Sequence, residues 1–258
     1  MTHPYFLDAG RPRVFAHRGL ASAPSQDPTI WENTAAAFAA AHAAGATYIE
    51  TDCQVTADGD VVLFHDDTLL RVAGDPRAIA DVRTSELTAL FEDHGGILTV
   101  AEALDAFPES RFNIDVKVPA AAEPIGALIA PHAHRVLLTS FSDGNRAAAL
   151  ASAMRAGAGI PPATSGGTKV IATLRALSAL RLSPARALRG VDAVQIPERH
   201  NGVRLFTPTF LRAAHAHGVE VHVWTINDPE DMTRLIAAGA DGIVTDRADL
   251  ALATLKST

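Results

Sequence analysis

One cysteine, Cys53, stands among 258 residues, so no intramolecular disulfide can form. Basic residues are outnumbered, 22 Lys and Arg against 29 Asp and Glu. The resulting formal charge of −7 argues against a broad nucleic-acid-binding surface and leaves room only for a local basic pocket. No apolar run reaches membrane-spanning length, and the opening residues MTHPYFLDAGRPRV lack the apolar centre of a signal peptide. A cytoplasmic location without stable membrane insertion is therefore expected. A glycine-rich GxGxxG turn is missing after the first apolar run, which speaks against an open doubly wound sheet. Internal repeats and low-complexity tracts are absent beyond alanine enrichment. The chain that remains is 48% hydrophobic and 20% charged, the composition of a soluble protein with a full core, and is read as one domain over 1–258.

Two patterns alternate along it. Short apolar or β-branched runs lie at 14–17, 47–53, 61–64, 111–116, 135–139, 192–196, 220–225 and 242–245, with a weaker one near 158–164. Alanine- and leucine-rich stretches of helical period, such as 34–44, 99–107, 120–130, 168–182, 207–217 and 229–239, lie between most of them. Repeated strand–helix units imply a parallel sheet. Nine strands are one too many for an eight-stranded barrel, and the spare is 61–64, because Asp58-Gly59 before it is a hairpin signal. A two-residue turn there sets Asp52 opposite His65 and Glu50 opposite Asp67, bringing them to contact distance. The fold class expected is α/β, a (β/α)₈ barrel. A polar, irregular excursion at about 67–97 is read as a small cap over one side of its mouth.

In such barrels chemistry sits at the carboxyl ends of the strands. There the sequence places His17 and Arg18 in VFAHRG, Glu50 and Asp52 in YIETD, His65 after VVLF, Asp115 and Lys117 in NIDVK, Ser140, and Trp224. Residues i and i+2 share a side of a strand, so Glu50 and Asp52 repel unless a cation or base lies between them. With Asp115 they offer three oxygen ligands, a set suited to Mg²⁺ or Ca²⁺ rather than zinc. His17 and His65 titrate near neutrality, so one can take a proton while the other gives one. Arg18 is a forked donor for phosphate oxygens and Lys117 a point charge. Trp224 serves either as a pocket floor or as core. Glu32 is placed to fix Arg18, whereas Asn33 and Thr34 are read as a helix cap. His42, His132, His134, His215 and His217 lack an acidic partner in sequence, and Cys53 alternates away from the acids as inert packing.

The segments AHRG at 16–19, ENT at 32–34, IETD at 49–52, LFHDD at 63–67, NIDVK at 113–117, TSF at 139–141, VWTIND at 223–228 and DGIVTD at 241–246 resemble, in order, the glycerophosphodiester phosphodiesterase family. The resemblance covers nearly the whole chain. It implies a (β/α)₈ barrel with an insertion after the second strand, and hydrolysis of glycerophosphodiesters to glycerol 3-phosphate and an alcohol, in glycerol and lipid metabolism. It further implies His17 and His65 as catalytic pair, Arg18 and Lys117 on phosphate, and one divalent cation at Glu50, Asp52 and Asp115. Two features depart from the family pattern. Asp115 stands where glutamate is usual, drawing the carboxylate back by about 1.5 Å, one bond length. The stretch SAPSQDPTIWENT is longer than usual, with Trp31 in place of proline.

A lysophospholipase D-like or sphingomyelinase D-like enzyme on the same scaffold would need an apolar groove, and none is evident in the sequence. A non-catalytic sugar-phosphate-binding barrel would need no acid–base pair. Oligomeric state and leaving group are not legible.

Overall fold

The computed structural model describes residues 2–7, 10–23 and 27–255. In chain order its elements are β1 (Arg13–His17), α1 (Ala35–Ala43), β2 (Tyr48–Val55), β3 (Val61–Leu63), α2 (Leu70–Ala73), α3 (Thr84–Phe91), α4 (Val100–Ala106), β4 (Arg111–Val116), α5 (Pro119–Ile129) and β5 (Val136–Thr139). The second half continues with α6 (Asp143–Arg155), β6 (Ala163–Gly166), α7 (Thr168–Ala179), β7 (Ala193–Pro197), the short pair β8 (Arg199–His200) and β9 (Val203–Arg204), α8 (Pro208–His215), β10 (Glu220–Trp224), α9 (Pro229–Ala237), β11 (Gly242–Thr245) and α10 (Ala248–Leu255).

Eight strands pair in parallel in the order β1-β11-β10-β7-β6-β5-β4-β2, and β2 pairs again with β1, closing the barrel. The weak run near 158–164 does supply a strand, but only from Ala163, since Pro161 and Pro162 cannot donate to a ladder. Side chains alternate along each strand. Val14, Ala16, Val194, Ile196, Val221, Val223 and Ile243 face the helices in one apolar layer, and Ile49, Phe112, Ile114, Val136 and Leu138 in another. The inward set is different. Phe15, Tyr48, Leu137, Ala163, Ala193 and Val244 fill the barrel, and Tyr5 and Phe6 join them. Several helix starts are held by side chains, with Thr34, Thr99, Ser142, Thr207 and Asp228 accepting backbone N–H groups of the first turns.

β3 returns antiparallel to β2, as expected for a hairpin, but its register differs from the expected one. Cys53 pairs with Leu63, Gln54 with Val62 and Val55 with Val61. The loop holds three residues, 57–59, closed by the Thr56–Asp60 pair. Gly59 takes the left-handed position (φ 92°) that ends three-residue hairpin loops. Phe64, not His65, therefore faces Asp52, and its N–H donates to the Asp52 carbonyl at 3.0 Å.

Nor is the excursion after β3 irregular. It carries α2, α3 and a core of its own, in which Val62, Phe64, Leu69, Ile79, Val82, Leu87 and Phe91 are buried together. Trp31 belongs to this core, stacked on His94 at 3.7 Å and edge-on to Phe91. The unusual residue of the long 22–34 loop thus anchors the insertion; positions 24–26 of that loop lie outside the described residues.

Candidate active site

At the end of β1 the chain turns sharply. Arg18 and Gly19 both have positive φ, 57° and 87°. Gly19 is fixed by space as well as by φ, because a Cβ there would lie 2.8 Å from the Ala37 backbone of α1. The turn leaves His17 level with Glu50 on β2 and sends the Arg18 N–H to the Glu50 carbonyl at 2.8 Å. His17 Nδ1 is 2.5 Å from Asp246 Oδ1 just past β11. Asn227 in turn holds Asp246, donating from Nδ2 at 2.7 Å and accepting its backbone N–H at 2.9 Å. With Nδ1 engaged, Nε2 is the edge left for chemistry, 3.9 Å from Glu50 Oε2. Burial works against the imidazolium, but Asp246 and Glu50 outweigh it and raise the His17 pKa above its ordinary value.

Glu50, Asp52 and Asp115 are brought together as expected. All three are buried, and Asp52 is directly paired with Asp115 across β2 and β4. Lys117 lies between the last two, its Nζ 2.8 Å from Asp52 and 2.7 Å from Asp115. Arg18 Nε stands 3.3 Å from the other Asp52 oxygen. Burial raises the Asp52 pKa, yet Lys117 and Arg18 more than offset it and hold the carboxyl below its usual range. Glu50 has no such partner. Burial and the neighbouring Asp52 charge push it up to about 8. Asp115 is raised by burial too.

Glu50 Oε2 and Asp115 Oδ1 are buried with no hydrogen-bond donor. Three carboxylates with two unserved oxygens fit a hard divalent cation. As the side chains stand, Lys117 neutralises the pair, and among the described residues no group of three or more His, Cys, Asp or Glu side chains is gathered as a ready-made metal site.

His65 reaches the same cavity by another route than the ladder. β3 stops at Leu63, and the Gln54 amide gathers the next residues, donating to the Asp66 carbonyl at 3.2 Å and the His65 carbonyl at 3.4 Å. His65 Nδ1 is bound by Asp66. Both histidines are therefore tied by Nδ1 to a carboxylate. Asp66 also accepts from Arg71 Nε at 2.6 Å, and Arg71 reaches Glu32 at 2.5 Å. Glu32 fixes Arg18, as expected, at 2.8 Å. One guanidinium of the insertion thus braces the supports of both His65 and Arg18.

Asn33 is more than a cap. Thr34 caps α1 alone, whereas Asn33, buried and with φ 59°, accepts from Thr51 Oγ1 at 2.8 Å and directs Nδ2 to Asp52 at 3.4 Å. His215 also departs from its reading, since Asp241 lies 2.8 Å away, although far from this cavity at the barrel's amino end. Cys53 is fully buried, its thiol pushed up by burial, as inert packing requires.

The cavity measures about 320 Å³. His17, Arg18, Glu50, Asp52, His65, Asp115 and Lys117 make one side of it. Phe141, Ile171, Pro197, Leu205 and Trp224 supply an apolar wall, which begins beside Lys117 at Phe141. Trp224 meets Phe141 edge-on at 6.2 Å, and Phe141 is largely exposed at the mouth. This apolar wall is not evident in sequence because its members are scattered over 141–224 on separate elements.

Residues 17–250 match the model of the glycerophosphoryl diester phosphodiesterase family. The chain is 37% identical over 255 residues to a probable glycerophosphodiester phosphodiesterase 2 of Mycobacterium tuberculosis, covering 95% of this chain and 91% of that one. Among solved structures it resembles the glycerophosphodiester phosphodiesterase of Thermotoga maritima, at 26% identity and TM-score 0.70 over 93% of this chain and 96% of that one. It also resembles an Oleispira antarctica phosphodiesterase solved with its product sn-glycerol-3-phosphate, at 23% identity and TM-score 0.70 over 95% and 97% of the two chains.

Proposed function

This chain belongs to the glycerophosphoryl diester phosphodiesterase family, and from that premise we propose that it hydrolyses glycerophosphodiesters to glycerol 3-phosphate and an alcohol, with His17 and His65 as acid and base and one divalent cation, Mg²⁺ or Ca²⁺, at Glu50, Asp52 and Asp115. The observation that carries this reading is the pair of histidines, each tied at Nδ1 to its own carboxylate, on a cavity that also holds three buried acids and two cations. A binding barrel has no use for two oriented imidazoles. The Oleispira antarctica relative binds the product that this reaction would release.

Glu50, Asp52 and Asp115 would hold the cation, which when bound would act as a Lewis acid on the phosphoryl oxygens. Arg18 and Lys117 hold the phosphate by charge, and Arg18 offers its donors in a fixed plane because Glu32 fastens it. One histidine withdraws a proton from the attacking water while the other protonates the departing alkoxide, each kept in one orientation by its carboxylate. The apolar wall favours a second reading of the leaving group alone, an alcohol bearing a hydrocarbon chain, as in a lysophospholipase D-like reaction. One assay decides the substrate. Glycerol 3-phosphate release from glycerophosphocholine should be seen, abolished by EDTA and restored by Mg²⁺ or Ca²⁺; faster turnover of lysophosphatidylcholine would shift the assignment to the second reading. Binding of glycerol 3-phosphate without turnover of either diester would overturn both.

A further inference from the structure

Gln195 interrupts the apolar wall. It lies on β7, four strands from β2 in either direction around the barrel, and so opposite the acids. Its amide ends a line of hydrogen bonds that descends the barrel interior. Gln195 Nε2 is 3.4 Å from His222 Nδ1, His222 Nε2 is 3.1 Å from Glu220 Oε2, and Glu220 takes Arg13 in a fork at 2.6 and 2.8 Å, with Arg11 at 2.6 Å. His222 has no exposed surface, and its ring packs on Phe15 at 4.6 Å.

The direction of each bond follows from the far end. Glu220 between two guanidiniums is an ionised, acceptor-only group, so the His222 proton sits on Nε2. At the other edge of the ring it is the Gln195 amide nitrogen, a donor, that faces Nδ1, so Nδ1 is the acceptor of that contact. With Nε2 engaged by His222, the carbonyl oxygen is the end of this cavity-lining amide left for a ligand. An acceptor set in an apolar wall repels phosphate oxygens and leaves them to Arg18 and Lys117. It rewards a hydroxyl.

We propose that Gln195 is a specificity-determining residue that accepts a hydrogen bond from a free hydroxyl of the bound diester, and that His222 is the positioning residue that holds its amide in that sense. The proposal rests on the hydrolase reading above. The hydroxyl belongs either to the glycerol or to the alcohol, and the test separates them.

Four diesters serve: glycerophosphocholine, 3-hydroxypropyl phosphocholine lacking the glycerol 2-hydroxyl, glycerophosphoglycerol, and glycerophospho-n-propanol lacking hydroxyls on the alcohol. In the wild type, one hydroxylated member should exceed its deoxy partner in kcat/KM by roughly fivefold to tenfold, the worth of one neutral hydrogen bond. Gln195→Leu should bring that ratio to near one, and the pair affected identifies the source of the hydroxyl. A ratio is insensitive to loss of folded enzyme, which lowers all four rates alike. His222→Phe should lower the same ratio with Gln195 intact; an unchanged ratio overturns the positioning role. Equal rates in the wild type within both pairs, or both ratios surviving in Gln195→Leu, overturn the proposal while leaving the hydrolase reading standing. No turnover of any of the four overturns that reading and this proposal with it.

Discussion

Among the described residues the barrel holds two buried ionic clusters, one at each end, and they differ in how their acids are served. At the amino end Glu220 is fully engaged by Arg13, Arg11 and His222, and although burial opposes the charge, those bonds hold it at about 2. At the carboxyl end Glu50 is just as enclosed, has a bare oxygen, and is driven up to about 8. The same strands, β1, β2 and β10, contribute to one end or the other. Burial alone therefore does not mark function. The amino-end cluster completes itself with protein groups and so stabilises the fold, while the carboxyl-end cluster is left needing something from outside. Perturbing one end should cost stability, and perturbing the other should cost activity.

The largest effect lies at the carboxyl end. His17→Ala or His65→Ala should lower turnover on glycerophosphocholine by about 10²–10⁴, the range of acid–base catalysis, with thermal stability close to wild type. A p-nitrophenyl ester, whose leaving group needs no proton, should rescue the variant that lacks the acid and not the one that lacks the base. Near-normal turnover in both variants would remove the two-histidine mechanism.

At the other end, Glu220→Gln should cost turnover per folded molecule no more than the roughly fivefold to tenfold that Gln195 governs through His222, and should weaken the fold by roughly 3 kcal/mol above pH 5, taking 1.4 kcal/mol for each unit of pKa displacement. Because the folded pKa lies below the ordinary 4.5, the stabilisation is present above 4.5 and is lost as pH falls toward 2. Denaturant titrations across that window should show a steep acid limb in the wild type and a shallower one in the variant. An unchanged limb would place the acid sensitivity elsewhere.

Between these extremes stands Arg71, half-exposed on the insertion and joined to both Asp66 and Glu32. It touches no catalytic atom. Arg71→Gln should reduce kcat by about tenfold with a smaller change in KM, because small displacements of positioned groups are costly. Arg71→Lys should restore part of the loss. Equal losses in Arg71→Gln and Arg71→Lys would mean only that the insertion is loosened.

Much of this contrast is legible in the sequence, and the parts that are not have a common cause. His17, Glu50, Asp52, Asp115 and Trp224 can be placed because each ends an apolar run, and strand ends in a parallel barrel converge. Asp246 carries the same signal at the end of GIVT, and it could have been found that way as a partner for a pocket histidine. Other differences come from single-residue geometry. Asp58-Gly59 reads equally as a two-residue turn or as the tail of a three-residue loop, and that one residue moves Asp52 from His65 to Phe64. Asn33 followed by Thr34 has the look of a cap, and nothing local says that a positive φ turns Asn33 onto Asp52. Arg71 and the apolar wall depend on contacts between distant segments, which no local pattern encodes.

The smallest effect tests the contrast most directly, because it should reverse sign between the ends. Glu50→Gln in metal-free protein removes a buried carboxylate pressed against Asp52 and replaces it with a neutral amide of like size. The folded pKa of Glu50 lies above the ordinary 4.5, so the folded state keeps a proton that the unfolded chain gives up between 4.5 and about 8. Stability must then fall as pH rises through that window, the opposite slope to the one Glu220 contributes below it. In the variant this slope should vanish, and at pH 8 the metal-free fold should gain on the order of 1 kcal/mol, the scale of an unserved buried polar group. Added Mg²⁺ or Ca²⁺ should stabilise the wild type more than the variant, since the cation is expected to use the carboxylate that the variant lacks. If metal-free Glu50→Gln is less stable than wild type at pH 8, then Glu50 is already satisfied by the protein, and the two ends of the barrel are alike after all.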